Sequence, residues 1–244
     1  MSITIRSAQT IRNGITLRGN TPATPSLPVL FELDASTYTS GSTLFDISGN
    51  GRDANIVGGL AYDNSDAGGC FVFNTNYTQY IEVPGSSEGW GLNSAGDNPN
   101  ASFSVWAKVT SNLSYQHIAG WRGGLNFWFL VLPNSVVEAR FDGGVPQDIG
   151  LDYTPYYGTW AYTTFVVDSA NSQTRLYINS VPVGTYDNIT GAFGGGASNY
   201  ILGSVPSQGW GMSGKIGGTT AYSRALTQEE VTSEFNRTKS RFGL

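Results

Sequence analysis

The sequence predicts an all-β fold: a two-sheet antiparallel jelly-roll sandwich with one short C-terminal helix and an N-terminal β-hairpin arm. Three observations carry this. Short runs of alternating apolar and polar residues recur between turn residues along the 244-residue chain. Gly (32), Tyr (13), Phe (12) and Trp (6) are plentiful, and only 13% of residues are charged, which fits strands joined by tight turns and not a disordered chain. A convincing helical period occurs in one place, after Leu226.

The elements follow in order. "ITIR" and "ITLR" flank Asn13-Gly14, the pattern of a hairpin, so residues 1–19 read as an arm. A lone hairpin is marginal in water, so this one is expected to lean on the body or on another subunit. The Pro-rich "NTPATPSLP" at residues 20–28 cannot enter a sheet interior and reads as an extended linker. Residues 29–244 form the body.

Strand runs in the body are "VLFELDAS", "CFVFN", "QYIEVP", "SFSVWAKVT", "QHIAGW", "NFWFLVLP", "VVEARFDG", "WAYTTFVVD", "TRLYINSVPVG", "YILGS" and "GKIGGTTAYS". Phe103, Val105, Ala107 and Val109 alternate with Ser104, Trp106 and Lys108, as in a strand with one buried face. "NFWFLVLP" is apolar on both faces, as in a central strand or an interface. Beyond Leu226, Thr227 and Glu230 stand at capping-box spacing, and Leu226 and Val231 at staple positions. Val231 and Phe235 share a helix face, and Arg237 and Lys239 suit the negative end of the helix dipole. About three turns are marginal alone, so that face is expected to pack on the sandwich.

Composition narrows the function classes. One cysteine, Cys70, excludes an intramolecular disulfide, and its setting "GGCFVFN" reads as a buried small apolar residue. The N-terminus has no apolar core of signal-peptide length, and no run reaches the ~18 residues of a membrane helix. Arg6, Arg12 and Arg18 lie in an acid-free N-terminus, and Arg237, Lys239 and Arg241 in an acid-free C-terminus. Between them seven basic residues face eighteen acidic ones, a balance of about −11. That body disfavours nucleic acid. The basic ends read either as solvated tails or as docking elements.

Catalytic patterns are tested and rejected. "GWGMSGKI" approaches a P-loop, but Ile216 replaces the Mg²⁺-binding hydroxyl and no helix follows. "ELDAST" starts a paired-carboxylate pattern at Glu32 and Asp34 but has Thr37 where a further Glu is needed. The single histidine, His117, lacks a zinc partner and reads as structural or surface-exposed. No G-x-S-x-G elbow occurs. Trp90, Trp121, Trp128 and Trp210 could stack on sugar rings, with Arg122, Asn126 or Gln208 supplying hydrogen bonds. They equally suit a core or a subunit interface. Trp90 and Trp210 lie in the Gly-rich loops "EGWGLN" and "QGWGMS" and are the better surface candidates.

Read in order, "DISGNG" (Asp46 to Gly51), "GGCFVFNTNYTQYIEVP", "ASFSVWAKV", "WAYTTFVVDSANSQTRLYINSVPVG", "YILGS" and "GKIGGTTAYSRALTQEEVTSEFN" resemble the laminin G-like, concanavalin A-like domain family. The resemblance covers roughly residues 29–240 and implies a jelly roll of two curved sheets. It also implies the role of a lectin, an adhesion module or an accessory domain of an enzyme. Relatives that bind Ca²⁺ use carboxylates near these stretches. Asp46 and Asn50 could contribute, but Gly217-Gly218-Thr219 stand where acids often occur, so no cofactor is expected and calcium is doubtful. The arm and the "NRTKSRFG" tail resemble virion-associated proteins of tailed bacteriophages.

These readings lead to a non-enzymatic virion structural protein, a capsid decoration or a tail or fibre component. It would be anchored to other virion proteins through residues 1–28 and the basic C-terminal tail. It could self-associate and touch host-surface glycans through Trp90, Trp121, Trp210 and Arg122, without nucleic-acid binding or membrane insertion. The competing class is a free carbohydrate-binding lectin or adhesion module, and a glycan-cleaving enzyme is a third reading.

Overall fold

Period-two alternation over so many short runs forces pairing in sheets. The computed structural model describes residues 10–11, 15–16, 28–85, 100–110, 115–121, 128–140, 147–187, 199–206 and 209–244. In chain order the strands are β1 (Thr10–Ile11), β2 (Ile15–Thr16), β3 (Val29–Asp34), β4 (Thr43–Leu44), β5 (Ala54–Val57), β6 (Ala61–Asp63) and β7 (Cys70–Asn74). Next come β8 (Tyr80–Val83), β9 (Ala101–Val109), β10 (Gln116–Trp121), β11 (Trp128–Val131), β12 (Val136–Arg140), β13 (Gln147–Asp152) and β14 (Ala161–Asp168). Last are β15 (Gln173–Ile178), β16 (Val181–Asp187), β17 (Tyr200–Leu202), β18 (Ser204–Val205), β19 (Trp210–Gly211), β20 (Ser213–Tyr222) and the helix α1 (Gln228–Thr238).

Two antiparallel sheets face each other. One runs β13-β12-β11-β10-β17-β8-β5-β4, and the other runs β16-β15-β14-β9-β20-β7-β6, with β3 lying beside β20. The core between them takes Phe31, Leu33, Phe71, Phe103, Val105 and Phe165 from the second sheet, and Ile81, Val83, Ile118, Phe129, Val131 and Leu202 from the first. β1 and β2 pair as a separate ribbon, Thr10 opposite Thr16 and Ile11 opposite Ile15. The rest of the arm and residues 20–27 of the linker lie outside the described residues.

Two strand expectations change. "TRLYINSVPVG" reads as one run but forms two strands, β15 and β16. They turn at Asn179 (φ 51°) and Ser180 (φ 65°), the left-handed pair that a tight hairpin needs. β9 was expected to bury one face, yet it is buried on both: Ser102, Ser104 and Trp106 are as inaccessible as Phe103 and Val105. The cause is α1, which lies over the outer face of this sheet. Its capping box forms as the sequence predicts: Thr227 accepts from the Glu230 amide, and Glu230 accepts from the Thr227 amide. Val231 and Leu226 pack on Val166, Tyr177 and Tyr222. The Ser102 hydroxyl accepts from Leu226 N at 3.0 Å and donates to Arg224 O at 2.9 Å, so the polar residue of the strand ties down the start of the helix.

The basic tail packs against its own body. After Thr238 the chain continues as a 3₁₀ turn, Lys239–Phe242. Arg241 donates to Asp34 and to the carbonyls of Ala67, Gly69 and Gly217. Arg237 pairs with Glu32 and Glu234. Arg237 and Arg241 are thus engaged with carboxylates of the chain itself, and the Lys239 ammonium lies 5.3 Å from the Phe235 ring centre. Phe242 drops onto β20 at Gly217, where an added Cβ would come within 2.5 Å of its ring. That contact accounts for glycine at position 217.

Candidate functional site

Three turns meet at one end of the sandwich. The β7–β8 turn, residues 75–79, is joined to the segment after β19 by Thr75 N donating to Met212 O at 2.8 Å. The approach is close enough that a Cβ on Gly211 would lie 2.4 Å from Thr75 O, so only glycine fits there. The chain leaving β9 joins the same segment through Thr110 N to Ser213 O at 2.9 Å and a 3.1 Å contact between the Thr110 and Ser213 hydroxyls. The first residue of β10 completes the tie: Ser213 N donates to the buried Gln116 Oε1 at 2.6 Å.

On this frame sit three aromatic side chains. Tyr115 is 44% exposed and Tyr77 49% exposed. Trp210, on β19, is half-buried and stacks on Tyr115, with ring centroids 5.5 Å apart and planes 22° from parallel. A stacked pair of amphipathic rings with one ring exposed and the other half-buried can receive the apolar face of a ligand while polar edges and nearby amides bond its hydroxyls. The Asn74 and Asn76 side-chain oxygens accept from the Asn76 and Thr78 backbone amides, which leaves both Nδ2 groups as donors.

Of the four residues expected to contact a glycan, Trp210 is on this platform. Trp121 ends β10, paired with Tyr200 of β17. Trp90 and Arg122 lie outside the described residues. Tyr115 and Tyr77 were missed by the sequence reading. The available signal was the composition of their turns, short Asn/Thr/Ser stretches each carrying one aromatic.

The other sequence candidates resolve into structural roles. Glu32 and Asp34, the partial glycosidase pattern, project toward the C-terminal segment and are held by Arg237 and Arg241. Lys215 of the P-loop-like stretch is in β20, its Nζ 2.8 Å from Asp63 and 2.8 Å from Asp66. Among the described residues, Asp63, Asp66 and Cys70 form the one group with metal-ligand chemistry, but ammonium groups occupy its carboxylates. Lys215 holds Asp63 far below the usual carboxylate range. At Asp66 burial acts upward, and hydrogen bonds from Lys215, Trp160 and Lys108 outweigh it. Cys70 is fully buried, and burial pushes its thiol up to about 11, the opposite of an activated nucleophile.

Asp46, the possible calcium ligand, is consumed by its own loop. Its Oδ1 accepts from Glu32 N at 3.0 Å and Ser48 N at 2.9 Å, and its Oδ2 from Arg52 N at 3.0 Å. Asn50 spends its amide on Val29 O and Leu30 O. These donors close the "DISGNG" turn against β3 and do not fit a calcium cage, which needs six to eight oxygens turned inward. His117 is buried, and neither ring nitrogen has a hydrogen-bond partner.

Solved structures share the fold. Domain 4 of AbnA, a GH43 extracellular arabinanase from Geobacillus stearothermophilus in complex with arabinotriose, is 21% identical, with TM-score 0.64 over 85% of this chain and 98% of that one. The binding domain of Paraclostridial Mosquitocidal Protein 1 is 15% identical, with TM-score 0.65 over 86% of this chain and 52% of that one. The binding domain of botulinum neurotoxin DC, in complex with rat synaptotagmin II, is 17% identical, with TM-score 0.64 and the same coverage. This chain therefore spans about half the length of the toxin binding domains it matches. No curated protein matches in sequence. The family model of the Concanavalin A-like lectin/glucanases superfamily matches residues 74–232, more than half of the chain, and with the two-sheet topology above this protein belongs to that superfamily.

Proposed function

We propose that this domain is a non-enzymatic glycan-contacting module of a tailed-phage virion, a capsid decoration or a tail or fibre component carried on its N-terminal arm. The observation that carries the glycan reading is the exposed Tyr115 ring stacked on the half-buried Trp210 at the rim where three turns are tied together. The non-enzymatic reading is supported by four candidate carboxylates: Glu32, Asp34, Asp63 and Asp66 are ion-paired to arginine or lysine, whereas glycosidase chemistry needs one acid kept protonated and one free base. Two of the similar structures were solved with a bound partner: an arabinanase domain in complex with arabinotriose and a toxin binding domain in complex with SialylT.

The virion setting is supported by the sequence: an acid-free arm with Arg6, Arg12 and Arg18, a Pro-rich linker, and a body that folds without a disulfide. With Arg237 and Arg241 engaged internally, anchoring falls to residues 1–28. A glycan array on the whole protein tests the contact, with Trp210→Ala as control. Signals that survive Trp210→Ala would remove the site. Mass spectrometry of purified virions and assembly of the 29–244 fragment test the setting, and normal incorporation of that fragment would remove the anchoring role of the arm.

A further inference from the structure

The described residues of the aromatic rim, 74–79, 110, 115–116, 203–206 and 209–213, belong to the sequence stretches "NTNYTQ" (residues 74–79), "TSNLSYQ" (110–116) and "GSVPSQGWGMS" (203–213). None contains Asp, Glu, Lys, Arg or His, in a chain that is 13% charged with a body near −11. By average usage, stretches of this combined length would carry about three to six charged side chains. Every polar group on them is a hydroxyl, an amide or a backbone dipole. The described residues of these stretches offer a charged ligand no side-chain counter-ion, and a carboxylate or sulfate placed against them would lose hydration without a compensating partner from them.

From this we infer that the site takes uncharged oligosaccharides of neutral hexose or pentose units, and discriminates against sialylated, sulfated and uronic-acid glycans. The inference rests on the glycan-contacting function proposed above. The chemistry is a match of kinds. A pyranose or furanose presents an apolar C–H face and a rim of hydroxyls. Tyr115 and Trp210 offer flat amphipathic surface, and the Asn74 and Asn76 amides and the Thr78 hydroxyl offer neutral hydrogen bonds. The frame is already fixed by Thr75 N to Met212 O, Thr110 N to Ser213 O and Ser213 N to Gln116 Oε1, so little ordering cost falls on binding. The remaining field at the rim comes from the acidic body, which repels anionic glycans at low salt.

The test is an array pairing neutral oligosaccharides (arabinan, galactan, glucan and mannan fragments) with sialyl-lactose, heparin and polygalacturonate fragments, followed by calorimetry on the best binder. Hits confined to neutral glycans are expected. Their Kd should change less than about twofold between ~0.05 and ~0.5 M NaCl and weaken about tenfold or more in Tyr115→Ala or Trp210→Ala. Preference for anionic glycans, or a Kd that rises about tenfold with that salt, overturns the inference and leaves the glycan-contacting function standing. Binding to none of the glycans removes both.

Discussion

Phe242 stacks face to face on Trp106, ring centroids 4.0 Å apart and planes 13° from parallel, while the Trp106 indole N–H donates to the Thr238 hydroxyl at 2.9 Å. A residue two from the C-terminus thereby seals the outer face of the central strand β9. Trp160 meets the same ring edge-on at 4.9 Å. Removing the Phe242 ring should leave a hole over Gly217 that the backbone cannot close. Phe242→Ala is expected to cost about 3 kcal/mol, read as a lower urea midpoint at unchanged m-value. An unchanged midpoint would mean that the C-terminal segment is not part of the cooperative fold.

His117 gives the fold a specific pH dependence. Burial without a partner pushes its pKa down to about 3, from the ordinary histidine value of about 6.5. The folded state therefore keeps the neutral ring, and the unfolded state takes up the proton first. Its contribution is complete above about 6.5 and falls as pH drops from there toward 3, by about 1.4 kcal/mol per pH unit. His117→Leu orphans no hydrogen-bond partner and should flatten the stability curve by that slope between pH 6 and 4. Parallel curves for the two proteins would contradict the burial.

Asp46 organises its turn by accepting three backbone amides. Burial raises its pKa, and the hydrogen bonds from Glu32, Ser48 and Arg52 outweigh this and hold it below the usual range. Asp46→Ala should destabilise by about 2 kcal/mol through the orphaned amides. Because the carboxylate is already in use, adding calcium or a chelator should move the melting temperature of the natural protein by less than about 1 °C. A larger calcium-dependent rise would place an ion at this turn.

Tyr115 and Trp210 lie at the rim, outside the hydrophobic clusters of the sandwich. Tyr115→Ala and Trp210→Ala are therefore expected to keep stability within about 1 kcal/mol of the natural protein while abolishing array signals. Loss of stability well beyond that, by thermal or urea unfolding, would reassign the pair to structural support.

The local grammar of the fold was open to reading from the chain. Alternation in "SFSVWAKV", the Thr227–Glu230 box and the Leu226–Val231 staple each depend on neighbours a few residues away, so periodicity and spacing expose them. The strand face with Ser102, Ser104 and Trp106 reads as solvent-facing until α1 is placed over it, a contact across more than a hundred residues of sequence. The same holds for the tail. Arg237 and Arg241 look like spare charge because Glu32 and Asp34, their partners, stand some two hundred positions earlier.

The site divides along the same line. Trp210 stands out in sequence as an aromatic in a Gly-rich loop. Tyr77 and Tyr115 do not, since one tyrosine in a polar turn is commonplace. By itself the sequence determined the strands, the turns, the capped helix, the acidic body and the charge-free character of three turn segments. Only the tertiary structure decided that those three segments share one rim and that the basic tail closes on its own body. The physical reason is that secondary structure follows local periodicity, whereas the meeting of turns and the pairing of charges are set by long-range strand order in the two sheets.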